Sequence, residues 1–597
     1  MKRLASLLMI APLLLGGCMP ERFKTITSRS QQEELPPEKD AIRTIRDIAV
    51  YDNTNELTVS GFGIVTGLAG TGGPTPPGDA RQAVEDRLKK IKDLNVNELM
   101  NSPSTAIVVV TGVVKPGSRR DELVDLEITL PPGSKVKSLR GGVLQETPLM
   151  TFATQAEVRG FLKDNSLNTV SEGNRLIRGH EVVVARGLLQ ASLKPTKDGD
   201  EESSTIDAMK TAYVWKGGKL REGRPMFLIL NTDEQRFRVA EQVATRLNDV
   251  FQGGESASSK VAIAKHKDLV AVNVPPRYRL NHPHFMRVVL AVPLDPPADL
   301  TAYLKKLEDM IQKPETAAGG AIKLEALGAP ALPVLRAAMK SEYPFVQFCA
   351  AEALAYLGQT QAAETLGRLA AEHPAFQAYA LTALAALDDA LAMSKLEELL
   401  ASKEPSLRYG AFRAMREIDH DAASIKGQWQ NRSFVLHSEV GVGQPMVHML
   451  REGRSEFVLF GETPKLVPPF SFTAGPNFTV TAKPGDEVAT ISYFSAKGDS
   501  ETQHAQSALN VADVLRKMAQ MGASYGDAAE MLFKAQDRKA INCKVVVDAL
   551  PKAVPMTKLA DSARTDPWMK LEYDLLSEVD EASTPTLFEG SGEGTRR

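Results

Sequence analysis

Along residues 41–150, short apolar runs alternate with Gly and Pro punctuation, as in Ala106–Val114 and Leu123–Leu130, and this pattern predicts half-buried or buried strands. Strand-type runs continue at Glu181–Leu189, Pro225–Leu230, Leu269–Val274 and Met286–Leu294. One helix interrupts them. Its Phe237, Ala240, Val243, Leu247 and Val250 recur every three or four positions, and Asp233 stands upstream, where its carboxylate can cap free N–H groups. From 320 to 425 the pattern turns Ala- and Leu-rich with helical spacing. Pro344, Pro374 and Pro405 precede equivalent helices with apolar registers Val346, Ala350, Leu354, Leu357, then Phe376, Ala380, Leu384, Leu387, then Leu407, Ala411, Met415, Ile418; Leu324 and Leu327 open a fourth copy. The copies recur about every 30 residues with second helices between them, such as Ala363–Ala371 and Ser394–Ala401, so each helix pair buries its apolar face only against its neighbours. Strand patterning returns from Trp429 to Ile491. Val511, Val514, Leu515 and Met518, then Ala528, Met531, Leu532 and Ala535 beyond Gly522, mark two helices leading to a strand at Lys544–Val547.

A chain of 597 residues has material for roughly four domains at about 150 residues each. Its 71 Lys+Arg against 74 Asp+Glu leave a net charge of −3, which argues against a dedicated nucleic-acid binder. A hydrophobic content of 43% with 24% charged residues excludes collagen-like, mucin-like and wholly disordered classes. Three cysteines supply neither a disulfide scaffold nor a Cys-rich zinc module.

The N-terminus reads as an export signal. Lys2 and Arg3 precede the apolar run Leu4–Leu15 and small Gly16 and Gly17, a run too short to span a bilayer. The LLGGC ending at Cys18 resembles the lipobox of bacterial lipoproteins, which implies acylation of Cys18, removal of residues 1–17 and a lipid anchor. Met19 after that Cys resembles sequences sent to the outer membrane. Residues 18–40, with Pro36 and Pro37, read as a polar tether. No apolar run of 18 residues occurs elsewhere. Cys349, in an apolar helical pattern, and Cys543, beside a strand, are expected as separate buried thiols. Lys194–Thr205 is expected as a solvated acidic loop and the stretch beyond Pro551 as a poorly ordered tail.

Candidate chemistry is sparse. GFGIVTGLAGTGG, residues 61–73, follows the strand-like Glu56–Ser60 and offers a phosphate-cradling turn. Pro74, Pro76 and Pro77 stand where such a site needs a helix, and no repeated βαβ pattern follows, so Gly61, Gly63, Gly67, Gly70 and Gly72 read as structural glycines, with Gly141 and Gly142 as a second turn. His282 and His284 flank Pro283 and are favoured as a surface turn over a metal pair. No nucleophile elbow, P-loop or clustered Cys/His appears, so no catalytic residue, metal or cofactor is assigned and an enzyme is not expected.

The helical repeats resemble compact bacterial HEAT repeats, and such solenoids present a protein-binding face. The flanks resemble a single family in collinear order. TIRDIAVYDNTNELTVSGFGIVTGLAGTG (44–72), AIVVVTGVV (106–114), SLRGGVLQETPL (138–149) and RPMFLILNTDEQRFRVAEQVATRLNDVF (224–251) are similar to successive segments of flagellar basal-body P-ring proteins. Beyond the repeats, 456–481 and 509–547 resemble the strand pair and terminal segment of that family.

The resemblance implies an α+β multidomain chain: P-ring-like β-rich domains interrupted by an all-α HEAT-like solenoid insertion. The expected divisions are a β-rich domain over 41–160, an α+β domain over 161–312, helical repeats over 313–425, a β segment over 426–500, a helical segment over 501–550 and a tail over 551–597. It implies a homo-oligomeric periplasmic ring around the flagellar rod, bordering rod and L-ring proteins and peptidoglycan, with a further protein at the repeats, the membrane at the lipid, and no nucleic acid. The lipobox and the insertion depart from ordinary P-ring sequences. They keep open a second reading, a non-flagellar envelope adaptor lipoprotein that recruits partners through its repeats.

Overall fold

The computed structural model describes residues 42–90, 95–154, 176–190, 210–251, 260–451, 454–494, 502–570 and 584–588. The expected signal, the tether with Cys18, the acidic loop at 194–205 and the tail from Glu589 lie outside the described residues.

Among the described residues, six strands close into a barrel in the order Leu57–Thr66, Ala106–Val114, Leu123–Thr129, Thr211–Leu220, Leu176–Leu188, Val143–Thr154 and back to the first. Alternation explains the closure: in Ala106–Val114 and Leu123–Thr129 every second side chain, including Val108, Val110, Leu126 and Ile128, enters a common interior. Helices Asp79–Leu88 and Val96–Asn101 cover part of the outside, burying Val84, Leu88 and Met100 on Ile64 and Ile107. The strand pattern of 41–150 gave no sign of these two helices, since their sequences are polar and short.

The barrel is itself an excursion. Strand Ala49–Asp52 pairs antiparallel with Met226–Leu230, and Leu269–Val272 and Ala262–Ala264 complete a four-stranded sheet. The expected boundary at 160/161 therefore falls inside the barrel, and the α+β layer takes its first strand from before it. Helix Phe237–Phe251 lies where its periodicity predicts, burying Ala240, Val243 and Leu247. Of the run Met286–Leu294, expected as a strand, Met286 to Ala291 belong instead to helix His282–Ala291, and Val292 to Leu294 follow its end. Asn281 caps it by accepting the His284 N–H at 3.2 Å, and Pro283 suits its first turn. Burial on most sides erased the amphipathic period, leaving a short apolar run that fits strand and helix equally.

Helices continue from Leu300–Ile311 through Pro405–Ile418. Ala317–Leu327, Pro344–Tyr356, Gln377–Leu387 and Pro405–Ile418 pack one against the next, with Leu332–Ala338, Ala362–Glu372 and Ala390–Leu399 between them in sequence. Pro344 and Pro405 occupy first helical positions, where a missing N–H costs nothing.

A five-stranded sheet follows, ordered Gln428–Gln430, Phe434–Val440, Glu456–Phe460, Met446–Met449, Lys544–Val547. Between its last two strands in sequence lie a third sheet, Phe470–Ala474, Phe478–Ala482, Val488–Tyr493 and Gln503–Ala508, and helices Val511–Gln520 and Tyr525–Asp537. The segment beyond Pro551, expected as a poorly ordered tail, carries helix Met556–Thr565, with Leu559 buried. It docks because Val554, Leu587 and Phe588 complete the core that runs from Ile45 through the helices. The Tyr379 hydroxyl donates to the Val554 carbonyl at 2.7 Å.

Candidate functional site

The glycine signature and its surroundings form one continuous junction. Gly61 and Gly63 lie in strand Leu57–Thr66 opposite Pro148 and Thr147. Pairing there shifts from Ser60↔Met150 to Val65↔Leu144, one residue more on the second strand, and Pro148 has no N–H to offer the ladder. Past the strand, the chain turns through Gly70, whose φ of 77° leaves open space about it. At Gly72 the backbone runs so close to the Thr105 and Pro103 carbonyls that a Cβ would collide with both. This turn is bonded to the second glycine turn: the Lys137 N–H donates to the Thr71 carbonyl at 2.8 Å and the Thr71 hydroxyl to the Ser138 carbonyl at 2.7 Å. The structure thus gathers Gly67, Gly70, Gly72, Gly141 and Gly142 near one rim of the barrel. The helix that a phosphate-cradling turn requires does not follow; helix Asp79–Leu88 begins only after the prolines.

From that rim, Arg140 reaches the far end of the chain. Its guanidinium donates to the Gly522 carbonyl at 2.6 Å and lies 3.3 Å from the Asp527 carboxylate. Asp527 closes a capping box with Ser524 at the start of helix Tyr525–Asp537. Nearby, the buried Gln190 amide oxygen accepts the Ser455 N–H at 2.9 Å.

The deepest feature of the junction is the wholly buried carboxylate of Glu456. Arg416 donates to it at 2.9 and 3.1 Å, the Tyr409 hydroxyl at 2.8 Å, and Arg454 stands at 3.3 Å. Burial alone would raise the Glu456 carboxyl, but Arg416, His437 and Arg454 together hold it well below the usual carboxylate range. Arg454 and Arg416 also lie over the indole of Trp215, at 4.3 and 5.4 Å from its centre. Barrel (Trp215), helices (Tyr409, Arg416) and second sheet (Glu456) meet here. His448 stacks on Tyr409 with ring centres 3.7 Å apart and accepts the Ala549 N–H at 3.1 Å. Burial pushes His448 down to about 3, which keeps it neutral.

A second polar seam joins the helices to the first sheet's layer. His284 is buried rather than on a surface turn, with its Nε2 2.8 Å from a Glu325 oxygen, while the Tyr278 hydroxyl donates to the other oxygen at 2.7 Å. His282 is also buried, and among the described residues no group of three or more His, Cys, Asp or Glu side chains could hold a metal ion. Cys349 and Cys543 are both free thiols, Cys349 buried and Cys543 half-buried.

This arrangement holds parts of the chain together. Residues 44–302 match the model of the family FlgI, flagellar P-ring protein. That match spans the barrel and the first sheet with its helices. The chain is similar to the flagellar P-ring proteins of Nitratidesulfovibrio vulgaris (26% identical over 269 residues, 44% of this chain and 64% of the relative) and Caulobacter vibrioides (28% over 229 residues, 37% and 54%). It is also similar to that of Aliivibrio fischeri, 27% identical over 218 residues, 36% of this chain and 52% of the relative. The chain thus spans between about half and just under two thirds of the length of these curated relatives. Among the described residues no helix is long and apolar enough to cross a membrane.

The sequence pattern pointed to the glycines but missed Arg140, Trp215, Arg416, Arg454, Glu456 and Asp527. Two signals were present. Glu456 is a lone charge opening the apolar strand EFVLF, and Ser524 to Asp527 has capping-box spacing.

Proposed function

We propose that this chain is a non-catalytic structural subunit of a periplasmic P-ring-like assembly around a flagellar rod, anchored to a membrane leaflet through acylated Cys18. The match over 44–302 supports the family role. The observation that carries the reading is the contact of Arg140 with Gly522 and Asp527: the family-like turn at 138–149 is bonded to 509–547, the segment resembling the end of the same family, across a helical insertion. In this reading the flanks are one ring-forming body, the glycines Gly61 to Gly72 with Gly141 and Gly142 hold the barrel rim, and the insertion is a HEAT-like array. Rod and L-ring proteins, peptidoglycan and a further protein at the helices are the neighbours.

Electron microscopy of the purified lipidated protein tests this. Closed rings, with loss of motility on deletion of the chain, are expected. A protein that stays monomeric at all concentrations, or cells whose motility and basal bodies are unchanged without it, overturn the reading.

A further inference from the structure

A strand at the border of a sheet carries unpaired N–H and C=O groups, and folded chains cover or charge such borders. This chain does so repeatedly. Asn248 takes both backbone groups of Ala262, each at 2.9 Å. Arg538 donates to the Ser471 carbonyl and Glu530 accepts the Gly475 N–H at 3.0 Å. Gln536 accepts the Val545 N–H at 2.6 Å, and Gln430 folds back onto the Gln428 carbonyl at 3.2 Å. Ala49–Asp52 ends on the exposed carboxylate of Asp52.

Gln503–Ala508 departs from that habit. It is the outermost strand of the third sheet, paired along all six residues with Val488–Tyr493 on its inner side. Among the described residues, no backbone group of another segment bonds to its outer side; the Ser507 hydroxyl donates to the Ala508 carbonyl at 3.1 Å, and the Leu466 N–H donates to the Leu509 carbonyl at 2.8 Å just past the strand. Its residues, Gln, His, Ala, Gln, Ser and Ala, include neither a charge nor a proline to turn away another strand. Helix Val511–Gln520 packs on the sheet's face through Val514 and Leu515.

We propose that this border accepts an extended strand from a second copy of the chain. The inference rests on the ring-subunit reading, because a subunit repeated by rotation must bond to its own kind. A six-residue border presents about three outward N–H and three outward C=O groups, enough for backbone bonding to supply the affinity of strand addition.

The test uses the full-length protein and a variant carrying Gln506→Lys and Ala508→Lys, both at exposed positions. Assembled wild-type protein is expected to show amides 503–508 protected from hydrogen exchange about tenfold or more over the dilute protein. The variant should melt as wild type does, while its concentration for assembly rises by about tenfold, equivalent to about 1.4 kcal/mol. Unprotected amides at 503–508 in assembled wild type, or unchanged assembly by the variant, overturn the proposal and leave the ring reading intact. A wild-type protein that never self-associates overturns both.

Discussion

Arg140 and Asp527, 387 positions apart in the chain, meet at 3.3 Å where the barrel's second glycine turn touches the entrance of a C-terminal helix. Asp527 is almost wholly enclosed, and the same carboxylate serves Ser524 in the capping box. Removing the two partners therefore has unequal effects. Arg140→Ala should cost about 1 kcal/mol, since half-exposed pairs contribute modestly. Asp527→Ala also strips the cap and should cost about 2–3 kcal/mol. A double-mutant cycle by denaturant unfolding should return a coupling of about 0.5–1 kcal/mol; a coupling of zero means the contact does not join the flanks energetically.

Glu456 sets a stricter demand. Glu456→Ala leaves Arg416 and Arg454 enclosed without their anion and should destabilise by about 3–5 kcal/mol. Deleting residues 315–425 removes Arg416 and Tyr409 and much of the shared core, so the remainder should be cleaved rapidly by protease. A deletion product that stays folded shows instead that the flanks hold together without the helices.

Acid should loosen the protein well before ordinary carboxylates titrate. Burial holds His448 near about 3 and His282 near about 4, while the unfolded chain takes up those protons below about 6.5. Between these values the unfolded state binds more protons, so stability falls as pH falls through that window. Glu456, depressed when folded, adds to the loss below about 4.3. Glu352 acts oppositely, since burial raises it and its contribution improves as pH falls. Melting temperature against pH should decline from about 6.5 downward. His448→Phe should flatten that decline; an unchanged slope refutes the assignment.

The two glycine environments separate by substitution. Gly72→Ala forces a methyl against two carbonyl oxygens and should cost at least about 3 kcal/mol. Gly70→Ala meets open space and pays only for its left-handed backbone, about 1–2 kcal/mol. Thermal unfolding of the pair checks the order.

Much of this fold was legible from spacing. The amphipathic Phe237–Phe251 and Val511–Gln520 declare themselves through one-sided burial, whereas the helices beginning at Pro344 and Pro405 are legible through the recurrence of a proline-led apolar register, although Pro344–Tyr356 is buried nearly all round. Met286–Leu294 was misread because a helix enclosed nearly all round has lost the polar stripe that reveals it. The tail was misread because Met556, Leu559 and Phe588 are scattered apolar residues, whose docking depends on a surface assembled from elsewhere in the chain. The junction was illegible for the same reason. Glu456, Arg416 and Trp215 belong to a strand, a helix and a barrel, and no local pattern records that they converge.

The pairing of Ala49–Asp52 with Met226–Leu230, and of Met446–Met449 with Lys544–Val547, gives the chain a nested order, like brackets closed long after they are opened. A polypeptide threaded outward from its N-terminus holds its first bracket open until about residue 230 has emerged, and its second until nearly the end. Until each bracket closes, its waiting strands expose unpaired edges that are prone to mispairing. Lengthening the material inside a bracket leaves the closure itself untouched, a route by which one lineage can enlarge this body without redesigning it.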